Sequence, residues 1–392
     1  GVAVHALAEL VEQHVARKYG RSLLEHARGV AQLSERFTSD REGLPPGYLN
    51  APPARAAYTL YFSVTGAATV QTALDLAGAW PTPRPLLRIL DVGAGPLTAT
   101  LGVAARLDAS VQLEVTAIDG VRAALDEGAT LLQGLRPATT IHLHAGNLRE
   151  GKFLHHAAGG THDLILLANV LNEWEVGGGK RQPAAELVER LLTRHLAPGG
   201  VVLLVEPATR AGSHALIEVR EHLLATLGLR LLGPCLGDLP CPLAGSRRDW
   251  CFSEQPWQRP PHIIALDRAI GHERGTLKFS YLALSADGMQ PPAVAADRFR
   301  VIGGPMREGD TYRRYLCGTD GKRVAEVEQA RSGRIPAVLL RAWRGDVITL
   351  PGRSVARQYG ARSEQAWVPL GAPSAGSHPP PPGPRPARRT GR

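Results

Sequence analysis

From Leu86 onward the sequence alternates short apolar runs with stretches of helical periodicity, and the first run, Leu87–Val92, empties into Gly93-Ala94-Gly95-Pro96. That ordering constrains the fold more than any other feature. Helix-like Leu97–Leu107 follows the glycines, then strand-like Gln112–Ile118 ending at Asp119, helical Arg122–Leu135 and a strand over Thr140–His144. Asp163–Ala168 and Val201–Val205 read as further buried strands, with helices at Ala184–Leu196 and Ser213–Leu227, the last capped by Gly228. A βαβα order of this kind predicts an α/β, Rossmann-like fold with a parallel sheet and helices on both faces.

The glycine turn is the first chemical signal, because residues without Cβ let the backbone approach a ligand closely. Gly-x-Gly alone is also met in plain strand-to-helix turns. Asp119 strengthens it, since a carboxylate at the end of the next strand can accept from both ribose hydroxyls. A dinucleotide fingerprint wants a third glycine where Thr98 stands. Asp91, directly before the glycines, is unusual for nicotinamide binders and usual for S-adenosylmethionine binders, near the cationic methionine end. The combination points to S-adenosylmethionine, with Asp91, Gly93, Ala94, Gly95, Asp119, Asn147 and Asn169 as cofactor-binding candidates. Asn147 follows the third strand, on the adenine side. Asn169, Asn172 and Glu173 follow the fourth, facing the methyl group, and are the catalytic candidates. Each has a plainer reading, as a loop residue or as part of a helix N-terminus. A nicotinamide oxidoreductase with structural zinc is the remote alternative.

Residues 1–85 read as an N-terminal helical region broken by the proline-rich stretch 44–53. The methyltransferase-like domain spans 86–288 and includes an irregular, cysteine-bearing insertion over 233–275. Lys278–Leu284 alternates like a strand. A small β-rich module covers 289–350, with strand-like runs at Phe299–Ile302, Tyr312–Leu316 and Val338–Trp343. Residues 351–392 are rich in proline and arginine without apolar periodicity, which predicts a disordered tail.

The formal net charge of +9 favours anionic partners, nucleic acid first. No apolar run approaches the roughly 20 residues of a membrane span. The chain opens at Gly1 without an initiator methionine, which leaves a lost upstream targeting segment open. Its four cysteines are Cys235, Cys241, Cys251 and Cys317. They are too sparse for a disulfide scaffold, and three are clustered. That pattern suggests one four-thiolate site for zinc or an iron–sulfur cluster, against the alternative of buried inert thiols. Trp250 and Phe252 stand where they would shield such a site.

Pro234-Cys235, Pro240-Cys241-Pro242-Leu243 and Asp249-Trp250-Cys251-Phe252-Ser253 resemble the signature of the methyltransferase-like proteins of the small ribosomal subunit, the mitochondrial Rsm-type assembly factors and their bacterial relatives. Further resemblance lies in Leu90–Pro96, Val205-Glu206-Pro207, Lys278–Tyr281, Leu316-Cys317 with Asp320-Gly321, and Arg341–Asp346. Together these cover about residues 50–350, and the cysteine pattern is the most specific part. The resemblance implies a class I S-adenosylmethionine-dependent methyltransferase fold with an iron–sulfur insertion. It implies a [4Fe–4S] cluster rather than zinc on Cys235, Cys241, Cys251 and Cys317, and association with the small ribosomal subunit and its rRNA. It departs at Leu97, where relatives often carry glycine, and at Phe252, where relatives often place a histidine first.

After the fourth strand there is no Asn/Asp-Pro-Pro-aromatic motif, so no methyl acceptor is legible. Two functions follow: a methyltransferase acting on small-subunit rRNA, or an assembly factor that binds rRNA without methylating it. A bacterial cytoplasm is the favoured compartment, the mitochondrial matrix if the source is eukaryotic, and a monomer the favoured state.

Overall fold

The computed structural model describes residues 1–38, 44–171, 183–272, 275–286, 294–329 and 335–350. The N-terminal segment forms α1 (His5–Tyr19), α2 (Leu23–Thr38), a single 3-10 turn at Tyr48–Asn50, α3 (Pro52–Ala57) and α4 (Ser63–Ala77), with one π-helical turn, Tyr58–Phe62, between the last two. The expected proline break is where α3 starts, because a proline in the first turn lacks only an N–H that would have no helical partner.

The alternating region follows as β1 (Leu86–Val92), α5 (Thr98–Arg106), β2 (Gln112–Asp119), α6 (Arg122–Leu135), β3 (Thr140–Ala145), α7 (Gly151–Ala158), β4 (His162–Ala168), α8 (Ala184–His195), β5 (Leu196–Pro207) and α9 (Arg210–Thr226). Then come β6 (Arg230–Gly233), β7 (Ser253–Pro256), α10 (Pro261–Ile270) and β8 (Thr276–Ser285). The strands form one sheet in the order β3-β2-β1-β4-β5-β8-β6, with β7 also paired to β8. Strands β1 to β5 are mutually parallel, and β8 runs antiparallel to β5, β6 and β7. The connections reverse direction between β1 and β4, so their carboxyl ends flank the crevice where such sheets bind ligands. One apolar core lies on each face. Leu87, Ile89, Val115 and Leu164 point to the side of α4 to α6, and Leu90, Val92, Ile165 and Leu167 to the side of α7 to α9.

The C-terminal part is a second sheet. It is built from β9 (Arg298–Val301), β10 (Met306–Glu308), β11 (Thr311–Gly318), β12 (Gly321–Glu328) and β13 (Val347–Thr349), with α11 (Ala337–Arg341) packed on it. Three expectations change. Val338–Trp343 is helical over its first part, not a strand. Its run is too short for periodicity to decide, and buried Arg314 donates to the carbonyls of Leu339 and Ala342 at the helix end. Within 233–275, expected to be irregular, β7 and α10 form. The signals for α10 were local: Pro261 in its first turn and left-handed Gly271 after its last. The iron–sulfur part of the expected fold is also corrected. Among the described residues no group of three or more His, Cys, Asp or Glu is placed to hold a metal ion. The expected tail, 351–392, lies outside the described residues.

A buried carboxylate ties the N-terminal helices to the sheet. Glu127 of α6 has a fully buried side chain that meets Lys18, Tyr19 Oη at 2.9 Å, His14 Nε2 at 3.3 Å and Arg55 Nε at 3.6 Å. Burial pushes this carboxyl up, but donation from His14, Lys18 and Tyr19 outweighs it and holds the group down at about 2. Because the folded value lies below the ordinary one of 4.5, its contribution is complete above that value and is lost as pH falls through about 2. Breaking one side of a buried ion network typically costs about 3–5 kcal/mol. Glu127→Gln is therefore expected to lower stability to urea at neutral pH by roughly that amount. The gap to the wild type should narrow as the pH drops towards the Glu127 value. Equal unfolding midpoints at neutral pH would contradict the role given to this knot.

Candidate functional site

The glycine turn is shaped by what it packs against. Gly93 has φ +68°, and a Cβ there would lie 2.5 Å from Val170 Cγ2, in the loop leaving β4. Gly95 has φ +51°, and its N–H donates to Asp119 Oδ2 at 2.9 Å. Oδ1 of the same carboxylate accepts from Val121 N–H at 2.8 Å. Asp119 is thus held across the ends of β1 and β2. Burial pushes its carboxyl above the ordinary value, against the pull of the Val121, Gly95 and Gly120 N–H groups.

Leu97 keeps the glycine-like conformation of the turn, at φ +56° and ψ +32°. A left-handed leucine costs about 1–2 kcal/mol. Its side chain is fully buried, which returns about 1.5–3 kcal/mol. The substitution noted in the sequence therefore leaves the turn's shape intact and moves its side chain into the core. Among the described residues Asn169 is the other non-glycine in the left-handed region, at φ +59°, and its side chain is exposed at the end of β4. Asparagine adopts that conformation at little cost.

Asp91 does not face the crevice as a free carboxylate. It is 1% exposed, and its Oδ2 accepts from the hydroxyl of Thr100 at 2.7 Å and from Thr100 N–H at 3.2 Å. It anchors the first turn of α5. Asn147 is exposed, and its Oδ1 accepts from Arg149 N–H at 3.0 Å, a local turn bond. Asn172 and Glu173 lie outside the described residues. Sequence reasoning missed the cover of the crevice. Leu49 of the 3-10 turn packs on Val121 and Ala124, and Leu49 Cδ1 would lie 3.7 Å from a Cβ at Gly95. Arg55 Nη1 donates to the Leu49 and Asn50 carbonyls at 2.9 and 3.2 Å and fixes that turn. No motif signals it, because it comes from a different part of the chain.

The four cysteines line one cavity of about 70 Å³, together with Arg220 and Tyr281. Gly237 brings two of their segments together, since a Cβ there would meet the Thr319 carbonyl at 2.6 Å. Cys241, Cys251 and Cys317 pack among Ile217, Leu243 and Ile302. Burial, reinforced by the neighbouring thiols, pushes Cys251 up to about 12 and also raises Cys317 and Cys241. With no ligand group of three among the described residues, the expected [4Fe–4S] cluster and the zinc alternative are both withdrawn. Phe252 lines this cavity, whereas Trp250 does not. Tyr281 and Trp343 are buried, at 3% and 6% exposure.

A family model described as "Rsm22: Mitochondrial small ribosomal subunit Rsm22" matches residues 53–346. No curated protein matches the chain. Among solved structures, an S-adenosylmethionine-dependent methyltransferase candidate from Streptococcus mutans is similar at 10% identity and TM-score 0.34, over 55% of this chain and 48% of that one. The chain thus spans about half the length of that protein. Precorrin-6y C5,15-methyltransferase from Geobacter metallireducens is similar at 14% identity and TM-score 0.33, over 57% and 87%. Fibrillarin from Aeropyrum pernix, with natively bound S-adenosyl-L-methionine, is similar at 14% and 0.31, over 54% and 73%. At such TM-scores these likenesses add nothing to the topology described above. The strand order is that of a Rossmann-like α/β sheet. The family description names the mitochondrial small subunit, which overturns the preference for a bacterial cytoplasm. No helix among the described residues is long and apolar enough to cross a membrane.

Burial pushes Asp91 up to about 6 from 3.8, despite the Thr100 bonds, with Asp119 adding to the rise. A carboxyl raised on folding favours the native state at low pH. That contribution is lost as pH rises from the ordinary value through about 6. Asp91→Asn keeps an acceptor for Thr100 and cannot ionise. Relative to the wild type, its melting temperature is therefore expected to improve between about pH 4 and pH 7. A difference that stays constant across that window would show that the Asp91 carboxyl is not destabilised by burial.

Proposed function

The chain belongs to the Rsm22 family, and from that premise we propose that it is an assembly factor of the mitochondrial small ribosomal subunit. In this reading it binds rRNA on a methyltransferase-type scaffold without methylating it. The observation that carries the non-catalytic part is the end of β4. Val170 and Leu171 are buried there, Val170 is packed on Gly93, and Glu206 accepts the Leu171 N–H at 2.8 Å. Among the described residues that leave this strand, the exposed polar side chain is Asn169, whose neutral carboxamide cannot take a proton from an acceptor.

S-adenosylmethionine is the ligand proposed for the crevice. The residues fit its nucleoside half. Gly93, Ala94 and Gly95 bring backbone to it, Asp119 is pre-oriented for the ribose hydroxyls, and Asn147 and Asn169 border the adenine and methyl ends. They fit the methionine half less closely, since Asp91 is sealed under Thr100. When bound, S-adenosylmethionine supplies an electrophilic methyl group. The protein's part is to orient it and to cover it with the Leu49 turn. The basic balance of +9 supports a polyanionic partner.

Calorimetry with S-adenosylmethionine and the Asp119→Ala protein tests the crevice. Affinity is expected to fall at least about tenfold, as for loss of a charge-assisted hydrogen bond. Unchanged affinity would remove Asp119 from the site. Labelled methyl from S-adenosylmethionine should not enter small-subunit rRNA during assembly, whereas the protein should co-sediment with immature small subunits. Stoichiometric incorporation of label would overturn the non-catalytic reading.

A further inference from the structure

The segment between Cys241 and Cys251 is a rigid, cationic loop beside the crevice. Its backbone is pinned by Ala244 N–H to the Cys241 carbonyl at 3.0 Å, Ser246 N–H to the Leu243 carbonyl at 3.1 Å, and Cys251 N–H to Ser213 Oγ at 3.1 Å. The Trp250 ring is half-buried, and its Nε1 donates to the Ala208 carbonyl at 3.1 Å. Ala208 directly follows β5, and β5 neighbours β4, so the indole is anchored at the same carboxyl edge of the sheet as the crevice. Two strand spacings, about 10 Å, separate the ends of β5 and β1.

Charge gathers round this ring. Arg247 and Arg248 are both exposed, and among the described residues neither has a carboxylate within ion-pair distance. Exposed Arg210 donates to the Arg247 carbonyl at 3.1 Å. Two acids stand in the same area. Asp249 accepts from Lys322 at 3.1 Å, and Glu254 lies 3.6 Å from Lys278. Each acid is matched by a lysine, so the three arginines remain as surplus positive charge.

We infer that Trp250, with Arg210, Arg247 and Arg248, forms a docking surface for single-stranded RNA that runs past the mouth of the crevice. Half-buried Trp250 leaves part of its indole open to stack on a base, and guanidinium groups beside it in the sequence meet the phosphates. A duplex keeps its bases stacked inside and offers that ring nothing, so the combination selects unpaired RNA over double helix. Because the loop is pinned before RNA arrives, little ordering cost is incurred on binding. The inference rests on the rRNA-binding role proposed above and locates it.

The test uses the full chain and two fluorescein-labelled probes of equal length: a single-stranded pyrimidine RNA and a duplex RNA. Fluorescence anisotropy is recorded over a range of salt. Arg247→Glu/Arg248→Glu is expected to weaken single-strand binding by about tenfold or more and to lower the salt slope by about 1.4, two phosphates' worth. Trp250→Ala is expected to weaken the single strand by about fivefold or more and leave the duplex unchanged. The control, Arg190→Glu/Arg194→Glu, makes the same charge change in the last turns of α8, which lead into the amino end of β5, and should have a smaller effect. Ultraviolet cross-linking of the wild type, read by mass spectrometry, should place a nucleotide on the peptide holding Trp250, whether or not the alanine variant folds.

Wild-type affinity with no cross-link at that peptide, or an arginine pair on α8 that matters as much, would overturn this surface while leaving rRNA binding intact. A preference for duplex, or equal competition by polyglutamate, would overturn it in favour of shape or of a general acidic partner. Failure of the wild type to bind either RNA would sink the rRNA-binding role itself.

Discussion

The Val170 side chain, in the loop leaving β4, fills the place where a Gly93 Cβ would stand, and the carboxyl edge of the sheet is organised by that contact. With Val170 Cγ2 2.5 Å from where a Gly93 Cβ would stand, and φ at +68°, the turn after β1 favours glycine at this position. Asp119 then draws the next turn of backbone towards β2 through Gly95 N–H. The crevice is the space left above these two ties. Leu97 shows the strength of the constraint. The backbone is held in a left-handed conformation at a residue that disfavours it, and burial of the leucine side chain offsets the strain.

A second tie decides what covers the crevice. Glu127 on α6 gathers His14, Lys18, Tyr19 and Arg55 from the N-terminal helices. Arg55 in turn holds the carbonyls of Leu49 and Asn50. The N-terminal helices, which also share the apolar core on that face of the sheet, are therefore tied to α6 through one buried carboxylate, and the same arginine positions the apolar turn over Gly95. Stability and access to the crevice share a residue.

The cysteines show how far a motif carries. Their spacing and the family resemblance brought four thiols to one place, and the fold does line one cavity with them. Sharing a cavity is a weaker condition than sharing a metal ion. Coordination needs donor atoms converging on one point at fixed distances, and no such group of three exists among the described residues. What surrounds the sulfurs is apolar packing and two buried arginines, Arg220 and Arg300. The Trp250 loop between two of these cysteines keeps its shape through backbone bonds and the Ser213 hydroxyl.

Local chemistry was enough for the alternating elements, the glycine turn, the left-handed caps and the membership of a methyltransferase-like family. Each depends on side-chain period or on backbone freedom within a few residues. Short apolar runs such as Val338–Trp343 were not decidable that way, since a helix and a strand of that length bury the same side chains, and Arg314, distant in sequence, settles the outcome. The same limit governs the site. The residue types at positions 91, 119 and 147 were readable, but whether each carboxylate or amide faces a ligand or its own backbone was not. Thr100 closes over Asp91, Leu49 covers Gly95, and Ala208 anchors Trp250. These partners lie 9, 46 and 42 positions away along the chain, and only the folded sheet brings them together.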